Sequence, residues 1–301
     1  MKSWLKIALV AALPVMGHAH TASPYVLPEV FDTTSSNVTF QSAITIEKFF
    51  VASNNFKTNY VITNPKGQKT DVSPAASLKR FSIAEFDLTD EGTYRIQTKD
   101  AVGTPGKYAL VDGRWLRVRP ARPANAPAMP APQATATAAA TAPKAATPAA
   151  PAQPPRVIAA DQVPANAQIL EVSNYYVAES YVTKGKPTDI PAVTNKGFEL
   201  KLNQHPNNVY AGDKFKGVAL INGKPIADLE VDIFKGASSY QANAKREQPH
   251  VTTNAKGEFE IEFKDAGIYL ITASYPEANP DNTKKPSAEN YTYSLTLEVN
   301  E

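Results

Sequence analysis

Cysteine is absent from the whole 301-residue chain. That excludes disulfide staples, thiolate metal sites and thiol nucleophiles, and leaves stability to core burial alone. Long apolar runs are also missing. The longest, Ile7 to Met16 in "KIALVAALPVMGHAH", is about half of the roughly 20 residues a membrane-spanning helix needs. A charge of one sign is lacking too, because 31 Lys and Arg oppose 29 Asp and Glu. Nucleic-acid binders carry a basic footprint, and none is visible here. Histidine is scarce, with four in total.

The short apolar run reads as an export leader. Lys2 and Lys6 form a positive n-region, and Gly17 and Ala19 supply the small residues before a cut after Ala19. Residues 1–19 are therefore expected to be a cleaved signal peptide, placing the mature protein in the periplasm with His20 first. Removing two lysines brings the formal charge of +2 to about zero. No transmembrane segment is expected after cleavage, and no nucleic-acid partner.

Proline is unevenly spread. Residues 120–155 hold 16 Ala and 10 Pro, with Arg122 and Lys144 the only charges. Repeated proline blocks helix and sheet, and such a segment cannot bury enough surface to offset the entropy of ordering it. Residues 120–160 are read as a disordered tether or insertion.

On either side, short runs such as "NVTFQSAITIEKFF", "TYRIQT", "FELKL", "GEFEIEF" and "YSLTLEV" alternate apolar and polar residues between turn signals. The turns "NPKG" at 64–67, "NGK" at 222–224 and "NAKG" at 254–257 use residues that tolerate positive φ. The expected fold is all-β, with two immunoglobulin-like antiparallel β-sandwich domains. A repeat supports this: "DLTDEGTYRIQT" at 87–98 matches "EFKDAGIYLITA" at 262–273. Tyr94 and Tyr269 are then corner tyrosines whose hydroxyls bond back to nearby backbone.

The repeat also suggests that "NYYVAESYVT" at 174–183 is the counterpart of the last strand, "NYTYSLTLEV". The first domain would then run over 20–185, interrupted by the tether, and the second over 196–301. The other layout ends the first domain at residue 119.

Enzyme templates are absent: no Gly-x-Ser-x-Gly elbow, no phosphate-cradling glycine loop and no His-Glu-x-x-His. No catalytic residue is assigned, and the protein is read as a non-enzyme. Of the mature histidines, His20 is chemically distinctive, since a first-residue histidine offers both its α-amine and its ring to one metal ion. A second imidazole would complete a three-nitrogen site suited to Cu(II), and carboxylates would suit Ni or Co. His205 lies in the turn "NQHPNN", and His250 opens a strand after Pro249. Each also has an ordinary reading, as a frayed terminus, an exposed turn and a strand edge respectively. Tyr175, Tyr176, Tyr181, Tyr291, Tyr293 and Trp115 form a competing aromatic set for sugar stacking, although core packing is the better account.

The start "SPYVLPEVFD", "VTFQSAITIEKFF" and "NPKGQK", followed by "LNQHPNNVYAGDKFKGVALINGKPIADLEVDIFKG" and "TTNAKGEFEIEFKDAGIYLITASY", resembles a NikM-like periplasmic family of uncharacterised function. That family is often described as the periplasmic component of a cobalt or nickel uptake system. The resemblance implies a divalent transition metal (Ni, Co or Cu) as cofactor or cargo. His20 and His205 would be the transferred ligands, His250 a further one, and Glu47 of "IEKFF" a carboxylate partner. It also implies a membrane metal transporter as partner. The alternatives are a non-catalytic sugar-binding or protein-interaction module of the cell envelope, and a copper oxidase built on a histidine brace.

Overall fold

A computed structural model describes residues 22–45, 49, 52–99, 101–102, 105–121, 156–236, 249–277 and 281–301. The leader, His20, Glu47 and tether residues 122–155 lie outside the described residues. The first half supplies β1 (Ser23–Pro28), β2 (Asp32–Thr33), β3 (Asn37–Thr45), β4 (Tyr60–Thr63), β5 (Lys69–Val72), β6 (Ala76–Ser77), β7 (Ser82–Asp87), β8 (Gly92–Thr98) and β9 (Ala101–Val102). Three strands flank the tether: β10 (Gly106–Val111), β11 (Arg114–Arg119) and β12 (Val157–Ala159). The 17-residue strand β13 (Gln168–Lys184) follows. The second half supplies β14 (Phe198–Leu202), β15 (Lys214–Ile221), β16 (Lys224–Pro225), β17 (Glu230–Lys235), β18 (His250–Thr252), β19 (Glu258–Glu262), β20 (Gly267–Tyr275) and β21 (Glu289–Val299). Among the described residues the one helical element is a 3₁₀ turn, Ala160–Gln162.

The strands form three sheets, and the largest is shared. A four-stranded sheet, β1-β3-β7-β6, covers one face of a 13-stranded sheet, and a second four-stranded sheet, β14, β15, β16 and β19, covers the other. Strand β13 joins the halves. Its residues 173–180 run parallel to β21, and its residues 181–184 pair antiparallel with β8. The strand that sequence assigned to the end of the first domain therefore hydrogen-bonds to both halves.

Period-2 alternation makes this sharing possible. Ala178 and Val182 point into the first core, with Val26, Val38, Phe40, Tyr60, Ile62, Tyr94 and Ile96. Tyr181, one position out of phase, joins the second core with Phe198, Phe215, Phe259, Tyr293 and Leu295. A strand buried on both faces must be apolar on both, and "YVAESYV" nearly is. A smaller cluster, Tyr25, Ala43, Phe49 and Leu270, seats the β1–β3 sheet on β20. At roughly 1.5–3 kcal/mol per fully buried large side chain, these clusters hold the halves together as one body.

The turns follow their sequence. Asn222 and Gly223 both take positive φ, as a two-residue hairpin requires. In "NPKG" and "NAKG" the asparagine does the same work twice. Asn64 Oδ1 accepts from the amides of Lys66 and Gln68 at 3.1 and 2.8 Å. Asn254 Oδ1 accepts from Lys256 and Glu258 at 2.8 and 3.0 Å. Both corner tyrosines are present: Tyr94 donates to Asp90 O at 2.9 Å, and Tyr269 to Asp265 O at 2.8 Å. The all-β, immunoglobulin-like expectation matches the structure.

Candidate functional site

The central sheet has different chemistry on its two faces. On the face turned to β14 and β15, β8 contributes Arg95, β13 contributes Glu179 and Tyr181, and β21 contributes Tyr293. Glu179 is 3% exposed and Arg95 5%. Register brings them together, since Tyr181 lies opposite Arg95 and Val177 opposite Tyr293. Glu179 Oε1 accepts from the hydroxyls of Tyr293 and of Tyr181, the latter at 3.3 Å. Its Oε2 accepts from Gln97 Nε2 at 3.2 Å. Arg95 Nε has no hydrogen-bond partner.

Burial pushes the Glu179 carboxyl above its usual range, while the Arg95 charge and the two tyrosine hydroxyls pull against it. Burial, and then the glutamate charge, push both tyrosine hydroxyls well above theirs. With both oxygens of Glu179 engaged and the second core packed over them, this layer acts as a lock within the fold.

His205 belongs to the same face. Its Nδ1 accepts the Asn207 amide at 3.2 Å, which puts the ring proton on Nε2, 2.8 Å from Thr93 Oγ1. Thr93 Oγ1 also accepts from the Thr188 amide at 3.2 Å and lies 3.2 Å from Thr183 Oγ1. Burial lowers the His205 pKa, against opposing pulls from Thr188 and Asp189. Both ring nitrogens are thus engaged, Nδ1 within the 203–208 turn and Nε2 in tying that turn to β8. A metal could reach this ring only by displacing one of those bonds.

The opposite face carries a different row. Reading across four strands in register, Ser294 of β21 faces Thr272 of β20, Thr272 faces Asp232 of β17, and Asp232 faces His250 of β18. Val231, Ile233 and Val251 point into the second core, so Asp232 and His250 project from the other side. Strand β1 lies along this row. Ser294 Oγ donates to Pro24 O, and Ser23 Oγ sits 3.2 Å from Thr272 Oγ1. Ser23 in turn pairs with Thr45 of β3.

The structure therefore puts His250 and His205 on opposite faces of one sheet. Asp232, which sequence reasoning passed over, is the direct neighbour of His250. His20 and Glu47 are outside the described residues. Among those residues, no three His, Asp or Glu side chains gather closely enough to hold a metal ion. Of the aromatics, Tyr181, Tyr293 and Trp115 are buried as core, while Tyr175 and Tyr291 stack at 4.8 Å and 13° in a half-buried position. A shallow, open groove of about 460 Å³ lies elsewhere, lined by Lys57, Thr58, Asn59, Pro74 and Ser77. None of the sequence-derived candidates lines it. Among the described residues no helix is long and apolar enough to cross a membrane.

This architecture defines a nearly all-β protein of immunoglobulin-like sandwiches built on a common sheet. Within that class the chain belongs to the family described as "Domain of unknown function (DUF4198)", whose model matches residues 17–277. Comparison with curated proteins gave no match. Among solved structures, the D0-D1 domain of Intimin is similar over 92% of this chain and 97% of its own, at 10% identity and TM-score 0.22. An Escherichia coli alpha-2-macroglobulin activated by porcine elastase matches over 93% of this chain and 20% of its own, at 10% identity and TM-score 0.22. The FN1-FN3 domains of chicken CNTN1 match over 93% of this chain and all of their own, at 9% identity and TM-score 0.21. At those scores nothing passes from them to this chain.

Proposed function

We propose that this protein binds a divalent transition-metal ion, nickel, cobalt or copper(II), in the periplasm and serves its uptake or delivery without catalysing a reaction. The observation that carries the reading is the row Thr272–Asp232–His250, with β1 anchored on it through Ser23. His20 is three residues before Ser23, a reach of at most about 11 Å. Two strand spacings, about 10 Å, separate Thr272 from His250. Glu47 is two residues past Thr45, a reach of about 7 Å. Chain length thus lets an N-terminal α-amine and imidazole, a second imidazole and two carboxylates meet at one corner. Such a mixed nitrogen and oxygen set suits borderline divalent ions. The NikM-like resemblance favours the same chemistry and a membrane transporter as recipient.

His205 is left out of this donor set, because its nitrogens are engaged on the other face. Ligands must shed protons to bind, so affinity should fall in acid as imidazole and amine donors take up protons.

Calorimetric titration of the processed protein with Ni(II), Co(II) and Cu(II) tests the reading. An added N-terminal alanine, His250→Ala and Asp232→Asn should each weaken binding at least tenfold, and His205→Asn should not. Undiminished affinity in the first three overturns the donor set. No metal binding at all, together with binding to glycans, moves the answer to an envelope sugar-binding module.

A further inference from the structure

The β10–β12 arm has a chemistry of its own. Five of the chain's eight arginines fall at 114, 117, 119, 122 and 156, whereas lysine supplies most positive charge elsewhere. Strand register sorts the arm into two faces. Arg117 lies opposite Tyr108 on one side and Val157 on the other, and Tyr108 lies opposite Leu170. Alternation adds Arg119 and Leu110 to the same face. Arg117 and Arg119 are exposed on this face, Val157 is 40% exposed, and Tyr108, Leu110 and Leu170 are half-buried; Arg156, exposed just before β12, adds a further positive charge to the arm. Among the described residues β10, β11 and β12 carry no carboxylate, and Glu171 of β13 is on the reverse face, where Lys107 pairs with it at 3.1 Å.

From this we infer that the arm docks on an anionic phospholipid surface. Guanidinium groups bind phosphate in a bidentate fork, which suits lipid headgroups better than lysine does. Charge alone would serve a soluble polyanion equally well. The apolar residues decide between them, because Val157, Tyr108 and Leu170 in register beside Arg117 have no role against a dissolved polymer. At a bilayer they enter the headgroup and acyl boundary, with a tyrosine at the interface, while the arginines hold phosphates. The binding is peripheral and independent of the metal reading.

Vesicle flotation of the processed full chain tests it, with phosphatidylglycerol in phosphatidylcholine against phosphatidylcholine alone. The protein should float with the anionic vesicles and lose most of that binding in high salt. Replacing Arg117, Arg119 and Arg156 together by glutamine should reduce partitioning roughly a hundredfold, from about fivefold per basic side chain at an anionic leaflet. Val157→Asn should reduce it severalfold with charge unchanged. All four side chains are exposed, so the thermal midpoint should not move. Equal binding to both vesicle types, or an unaffected triple variant, overturns the inference. Binding to soluble polyphosphate as tight as to vesicles, with Val157→Asn without effect, overturns it in favour of a polyanion site.

Discussion

Arg95→Met should expose how the two halves are locked. Methionine keeps most of the apolar stem, so the change removes charge more than packing. Glu179 is left fully buried with its carboxylate facing no cation. Breaking a buried ion pair in contact costs about 3–5 kcal/mol, because the other charge cannot return to water; Arg95 acts on Glu179 through its charge without a direct ion pair, so the loss should lie at or below the low end of that range. Burial already holds the Glu179 carboxyl above its usual value, and loss of the guanidinium raises it further. A carboxyl raised on folding contributes stability that is present below its unfolded pKa and is lost as pH rises through its folded pKa. The penalty of Arg95→Met should therefore be largest at pH 8 and shrink toward pH 5, as a proton takes the place of the guanidinium. Adding Glu179→Leu should recover most of the loss, since an apolar pair of similar volume is often as stable as a buried ion pair. Urea unfolding followed by Trp115 and tyrosine fluorescence reads all three variants. A cost that does not vary with pH, or a double variant as unstable as the sum of the singles, would refute the reasoning.

Three further outcomes follow from the same geometry. His205→Asn should cost about 1 kcal/mol by freeing the Thr93 hydroxyl and the Asn207 amide. His205 has a lowered pKa, so its contribution is present above about 6.5 and is lost as pH falls through the folded value; urea midpoints of wild type and variant should converge in acid. Tyr94→Phe should cost more than Tyr269→Phe, about 2 against about 1 kcal/mol, because the Tyr94 hydroxyl also accepts the Asp90 amide at 2.7 Å. Proteolytic nicking between residues 122 and 155 should leave fragments that co-elute on gel filtration, since β13 pairs with both β8 and β21; fragments that separate without denaturant would contradict a shared sheet.

Much of the fold was written in local pattern. Alternation located the strands, asparagine and glycine the turns, and the repeated Asp-x-Gly-x-Tyr both corners, because each depends on backbone geometry within a few residues. The sharing of one sheet was not legible, since nothing local says that a strand will be covered twice. For the same reason nothing within "TYRIQT" or "YVAESYV" marks Arg95 and Glu179 as buried. Only the second sheet, packed from more than a hundred residues away in the case of Arg95, makes them buried. His205 was legible as a histidine in a turn, but its partners Thr93 and Thr188 come from other elements. Asp232 escaped notice because an aspartate between Val231 and Ile233 is what an ordinary exposed strand face looks like; its meaning comes from His250 beside it. The one hint was the parity itself, since Asp232 and His250 both sit out of phase with core residues.

That parity separates two properties. The lock of Arg95, Glu179, Tyr181 and Tyr293 occupies one face of the central sheet, and the Thr272–Asp232–His250 row occupies the other. Substitutions with no shared partner usually add to within about 0.5 kcal/mol. Arg95→Met should therefore lower stability while leaving metal affinity within about a factor of two, provided the protein is assayed where it is folded. Asp232→Asn should weaken metal binding with little effect on the urea midpoint of the metal-free protein, as Asp232 is only partly buried. Combining them should give the product of two independent effects. If Arg95→Met alone weakens metal binding tenfold in the folded protein, the two faces are coupled through β13 and β20. The corner would then be a site that the lock tunes, not one that the sheet merely carries.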